Sequence, residues 1–233
     1  MRIILLILLY FNITLAADIF NQNSVEVFNS GIQGNNTQRL LNRLDIDCLN
    51  LNPDLVILMV GTNDFLSETK YLAPSVYESN LDSLVKQIIS NSCLILMTIP
   101  PVNSEYFYSR HPKEFCADVE ERIVECNNII YKVAKKYKVK VIDVWDYFNS
   151  IGDVADRNSL FRNMLNCGEK DGVHLTVFGN KVLATIVYSF IKENNYGFKR
   201  IVCFGDSITY GAKVNRNQTY PAYLSELVRW KKY

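Results

Sequence analysis

Three stretches of this chain run apolar without a break: Leu55-Val56-Ile57-Leu58-Met59-Val60, Cys93-Leu94-Ile95-Leu96-Met97 and Ile201-Val202-Cys203-Phe204. A strand with one wet face alternates apolar and polar residues, whereas a strand covered on both faces has no solvent side to mark. Burying each such side chain is worth about 1.5–3 kcal/mol, so these runs predict strands sandwiched between helices. The stretches between them carry helical spacing. Leu40, Leu41 and Leu44 give a short helix to about residue 45. Val76, Leu81, Leu84, Val85, Ile88 and Ile89 give one over about 74–90, and Val182, Leu183, Ile186, Val187, Phe190 and Ile191 give one after residue 174. Strands are also expected over 24–28 and 139–144, with helices over about 114–137 and 219–230. Five strands alternating with helices, without an internal repeat, predict an α/β fold with a mostly parallel five-stranded sheet. Residues 103–113 and 145–169 read as irregular. The first of these, with Tyr106, Phe107 and Tyr108, is either a substrate loop or a surface loop with packed tyrosines.

The 233 residues are 48% hydrophobic with a net charge of +1, which fits one domain over 17–233 and gives no basic excess with which to hold nucleic acid. Local basic runs such as Lys135-Lys136-Tyr137-Lys138 read as a solvated helix end. Residues 1–16, with Arg2, a short apolar core and Ala16-Ala17, predict a signal peptide and a secreted protein without a stable membrane span. That core falls short of the roughly 20 residues needed to cross a bilayer. Cys93 and Cys203, inside strand runs, predict buried thiols, and one or two disulfides are expected among Cys48, Cys116, Cys126 and Cys167. Two histidines and no paired cysteines argue against a zinc site, and no cofactor is called for.

In parallel sheets the ligand site lies beyond the carboxyl ends of the strands. Four polar, glycine-bearing stretches fall where they can converge there, around Gly34, Asn63, His174 and Ser207. Ser207 follows a strand and opens a helix, where it could merely cap that helix. To act as a nucleophile it needs a base, and the base needs an orienter. Asp171 and His174, three residues apart, supply both; His111, before Pro112, is the weaker alternative base. The backbone N–H groups of Ser207 and Gly34 and the side-chain amide of Asn63 are suitable donors to a developing oxyanion. Taken singly, Gly34 reads better as a plain turn and Asn63 as an Asx turn or helix cap; four such stretches on one rim weigh against those readings.

The four blocks Gly205-Asp206-Ser207, Asn29-Ser30-Gly31-Ile32-Gln33-Gly34, Gly61-Thr62-Asn63-Asp64 and Asp171-Gly172-Val173-His174 together resemble those of the SGNH, or GDSL-type, hydrolase superfamily. The resemblance implies a flavodoxin-like three-layer fold with strand order 2-1-3-4-5, a nucleophile at Ser207, a base at His174 and its orienter at Asp171. It also implies oxyanion donors at Ser207, Gly34 and Asn63. The serine block usually comes first in that superfamily and here comes last, so the chain resembles a circular permutant with the 201–204 strand inserted inside the sheet. A tandem array cut out of phase would give the same order. The runs from Gly205 to Gly211, 217–221 and 98–102 are most similar to carbohydrate-acetylesterase-like members. The expected function is a serine esterase that removes small acyl groups from a small-molecule or glycan ester. A lysophospholipase or thioesterase, and a non-catalytic glycan-binding protein with the same fold, are the alternatives. Asn35 and Asn217 open Asn-x-Thr sequons, and a glycan on Asn35 would crowd Gly34, so Asn35 is expected to be unmodified in active protein.

Overall fold

The structure, a computed structural model, describes residues 25–110, 118–194 and 197–229. Strands β1 (Glu26–Gly31), β2 (Leu55–Met59), β3 (Cys93–Met97), β4 (Lys140–Ile142) and β5 (Arg200–Gly205) form one parallel sheet in the order β1-β5-β2-β3-β4. Numbered along this chain the order is therefore 1-5-2-3-4 and not 2-1-3-4-5; the two counts begin at different strands. The last strand enters the interior of the sheet, where Val202 lies between Phe28 on one side and Val56 on the other.

The helices among the described residues are α1 (Thr37–Asp47), α2 (Thr62–Leu66), α3 (Pro74–Ile88), α4 (Ser104–Arg110), α5 (Val119–Tyr137), α6 (Val144–Ile151), α7 (Met164–Cys167), α8 (Val177–Glu193), α9 (Ser207–Tyr210) and α10 (Tyr220–Arg229). Successive strand residues point to opposite faces, so each apolar run feeds two cores. Val56, Leu58, Leu96, Val202 and Phe204 pack with Leu40, Leu84 and Ile130 from α1, α3 and α5. Leu55, Ile57, Met97, Ile201 and Cys203 pack with Phe148, Leu183 and Leu224 from α6, α8 and α10. These two layers are why the runs lack alternation.

Several expectations are corrected. β1 runs on through Asn29-Ser30-Gly31, which read as loop, because their backbone pairs with Cys203, Phe204 and Gly205 whatever their side chains. Residues 104–110, expected to be irregular, form α4; Asn103 accepts the Tyr106 N–H at 2.9 Å, and seven residues are too few to show a period. The strand expected over 139–144 stops at Ile142, since the Asp143 carboxylate accepts the Asp146 N–H at 3.0 Å and starts α6. α7, also inside the region read as irregular, is opened by an Asn163–Asn166 capping box. Cys93 is exposed at the first position of β3 rather than buried. Cys48, Cys126 and Cys167 are free thiols, so no bridge joins any two of them. The signal peptide, His111 and Cys116 lie outside the described residues. No described helix is long and apolar enough to cross a membrane.

Candidate active site

β5 delivers Ser207 to the carboxyl edge of the sheet. Asp206 ends the strand and caps α9, its Oδ1 accepting the Ile208 N–H at 2.9 Å. Ser207 is therefore the first residue of a helix, whose N–H has no acceptor within that helix. Its side chain is 8% exposed and lines a cavity of about 440 Å³. Asn63, Asp171 and His174 line the same cavity, with Leu66, Phe107 and Val173 as apolar wall and Glu169, Lys170 and Lys213 at the charged end.

The histidine arm is built from short-range contacts. Asp171 Oδ1 accepts the N–H groups of Val173 and His174 at 3.0 and 2.9 Å, an Asx turn that folds the side chain back over its own loop. His174 Nδ1 then lies 3.1 and 3.0 Å from the two carboxylate oxygens. An ionised carboxylate only accepts, so Nδ1 carries the proton and Nε2 presents a lone pair. Nε2 stands 3.2 Å from Ser207 Oγ, oriented to accept the hydroxyl proton. Burial pushes the Asp171 carboxyl up, but the imidazole and the two backbone donors outweigh it and hold its pKa at about 2. The loop is anchored by the Arg162 N–H to His174 O bond at 2.9 Å and by a bridge between Phe161 and Leu175. Gly172, at φ 71, lets the loop pass Asn103, whose Cβ would sit 2.6 Å from an added side chain.

The side expected to hold an oxyanion is assembled from separate segments. Asn63 donates one amide proton to Asn35 O at 2.9 Å, leaving the second available to a ligand. Gly34 is not part of the cavity wall; it forms the adjoining turn at φ 71, with Lys70 Nζ 2.5 Å from where a Cβ would stand. The structure thus brings Ser207, His174, Asp171 and Asn63 to one cavity and sets Gly34 one residue from Asn63's acceptor.

Three charged residues beneath the site were not singled out from the sequence. Asp64 and Asp206 are buried, and each has an Oδ2 with no hydrogen-bond partner. Burial raises their pKa values to about 6 and about 7. Asp64 Oδ1 accepts the N–H and hydroxyl of Thr37 at 2.9 and 2.5 Å, tying α2 to the start of α1. Arg43 extends across the ends of β1 and β5. The available sequence signal for it was a lone cation between Leu40 and Leu44 on the apolar side of α1. Among the described residues no three His, Cys, Asp or Glu side chains gather as a metal set.

Residues 12–182 match the model of the GDSL-like Lipase/Acylhydrolase family, a stretch that holds Gly34, Asn63, Asp171 and His174 and ends before Ser207. The chain is 26% identical over 186 residues to the "Uncharacterized lipoprotein YqeF" of Bacillus subtilis (strain 168), covering 74% of each. Among solved structures it is similar to the lipase/acylhydrolase from Enterococcus faecalis, with TM-score 0.53, 23% identity, and coverage of 69% of this chain and 72% of that one. It is also similar to the acetyl xylan esterase AlAXEase, with TM-score 0.53, 26% identity, and coverage of 70% and 79%. With the family model spanning well over half its length, the chain belongs to the GDSL-like lipase/acylhydrolase family and is a hydrolase of that family.

Proposed function

We propose that this protein is an extracytoplasmic serine esterase that removes small acyl groups, acetyl foremost, from carbohydrate esters. The observation that carries the reading is the chain of contacts from Asp171 through His174 to Ser207 Oγ, with Nε2 and Oγ 3.2 Å apart. In the proposed reaction His174 Nε2 takes the proton from Oγ as Oγ attacks the ester carbonyl. The oxyanion accepts hydrogen bonds from the Ser207 N–H, the Gly34 N–H and the free proton of the Asn63 amide. The tetrahedral species collapses as the alcohol leaves with the proton held on Nε2. Water, deprotonated by the same nitrogen, then attacks the acyl-serine; as the acyl–Oγ bond breaks, Nε2 returns the proton to Oγ and the free carboxylic acid leaves and ionises. Asp171 stays ionised throughout and stabilises the imidazolium.

The acetyl preference rests on the likeness to an acetyl xylan esterase, and the extracytoplasmic location on the likeness to a lipoprotein and on the apolar leader. The serine block's late position reads as a circular permutation. It is supported by β5 lying inside the sheet, by α10 packing on β1, and by a family match that ends before Ser207.

The test combines a serine-directed fluorophosphonate with a screen of acetyl, butyryl and long-chain esters. Labelling of wild type but not Ser207→Ala, with turnover highest on acetyl esters, is expected. Absence of label under conditions that modify a control esterase defeats the enzyme reading, and turnover rising with chain length favours a lipid or thioester substrate instead.

A further inference from the structure

Arg43 is a surface-type residue buried to 12% side-chain exposure at a place where separate segments of the proposed site meet. Its Nη1 donates to Ser30 O at 2.9 Å and to Asp47 Oδ2 at 3.1 Å, Nη2 donates to Gly205 O at 2.8 Å, and Nε donates to Asn35 Oδ1 at 2.7 Å. The guanidinium carbon lies 4.5 Å from the centre of the Phe204 ring, so the group sits over a side chain of β5 as well as being hydrogen-bonded through its nitrogens. The acceptors have positions in common with the proposed oxyanion donors. Gly205 O is two residues before Ser207. Asn35 follows Gly34 directly, and its own carbonyl accepts the Asn63 amide at 2.9 Å. One planar cation therefore connects the segments that carry all three donors, across 162 residues of sequence between Arg43 and Gly205.

We infer that Arg43 is the positioning residue of the oxyanion site: it fixes the distances among the Ser207 N–H, the Gly34 N–H and the Asn63 amide without touching substrate. The inference rests on the esterase reading above. The chemistry favours arginine specifically, because four acceptors shared among three nitrogens match the fork of a guanidinium and not the point charge of an ammonium. Gly205 O already accepts the Ile32 N–H at 3.2 Å, so the Arg43 guanidinium adds a second bond to that carbonyl where β1 and β5 end side by side. Oxyanion donors act only as charge develops, so a loss of alignment lowers kcat and leaves KM nearly unmoved. A misplacement of about 1 Å can cost about 10²-fold.

The experiment measures kcat and KM for 4-nitrophenyl acetate, with thermal melts, in wild type, Arg43→Lys, Asn63→Ala, the double variant and Ser207→Ala. Arg43→Lys is expected to lower kcat by about 10²-fold with KM changed by less than about threefold. Asn63→Ala is expected to cost about 10²–10³-fold in wild type but under about 10-fold in the Arg43→Lys background, because its donor is already misaligned there. An unchanged kcat in folded Arg43→Lys, a loss confined to KM, or a fully multiplicative double variant overturns the inference. If Arg43→Lys does not melt cooperatively, Asn35→Ala, which removes only the acceptor of Nε, is read against the same three outcomes. Ser207→Ala separates the two claims: activity persisting there defeats the esterase reading itself, whatever Arg43 does.

Discussion

The two sides of the cavity are built on different principles. The histidine side is mostly local: Asp171 and His174 are three residues apart, and the loop that holds them is closed by its own backbone and by the neighbouring residues 161 and 162, with one long-range tie from the Asn103 N–H to Gly172 O at 2.8 Å. The serine side is global. Ser207 depends on β5, which depends on β1 and β2, and the surrounding segments are linked through Arg43 and Asn35. Single side chains on either side can be changed with the fold intact, whereas the strand that carries Ser207 cannot be removed without removing the sheet's centre.

The sharpest break falls on the global side. Ending the chain at residue 199 deletes the strand between β1 and β2, and it is expected to abolish both activity and cooperative unfolding. Moving 199–229 ahead of residue 25 through a flexible linker restores the same neighbours, because α10 packs on β1, and is expected to restore both. Denaturant melts and ester hydrolysis report this; a cooperative, active fragment ending at 199 refutes the central-strand role, and an unfolded rearranged chain refutes the permutation.

On the local side, Asp171→Asn leaves the shape but lets His174 adopt the wrong tautomer. A fall in kcat of about 10⁴-fold with a native circular dichroism spectrum is expected. The same variant has a stability signature. The folded pKa of Asp171 is depressed from 3.8 to about 2, so its ionised form stabilises the fold fully above about pH 4. That contribution drains away as pH falls through the folded value. Wild type should lose stability between about pH 4 and pH 2 more steeply than Asp171→Asn, and equal slopes in chemical denaturation would contradict the assigned contacts.

The smallest effect separates the buried acids from the carboxylate beside His174. Asp206 is shifted in the opposite sense, up to about 7, so burial favours its protonated form. Its contribution is fully present below about pH 4 and is lost as pH rises through about 7. Asp206→Asn keeps the oxygen that accepts the Ile208 N–H, and it should narrow the difference in melting temperature between pH 5 and pH 8. A wider gap in the variant would refute the direction assigned to Asp206.

Much of this was legible before any coordinates. The strands over 55–60, 93–97 and 201–204 announced themselves because both faces are covered, and Asp171 and His174 because their interaction spans a single turn of chain. Elements shorter than two helical turns, such as α4 and α7, carry too few residues to show a period. The end of β1 was hidden because a ladder of backbone bonds takes no notice of Asn29 and Ser30. Arg43 illustrates the remaining class. Its charge and its place among leucines were visible in the sequence, but its partners are Ser30, Asn35 and Gly205, and only chain folding chooses them. Sequence alone determined the layer pattern, the chemical types at the site and the histidine–aspartate pair, all of which follow from short-range periodicity and spacing. Tertiary structure decided the sheet order, the meeting of Ser207 with His174 and the role of the buried charges, because these arise from contacts between segments far apart in the chain.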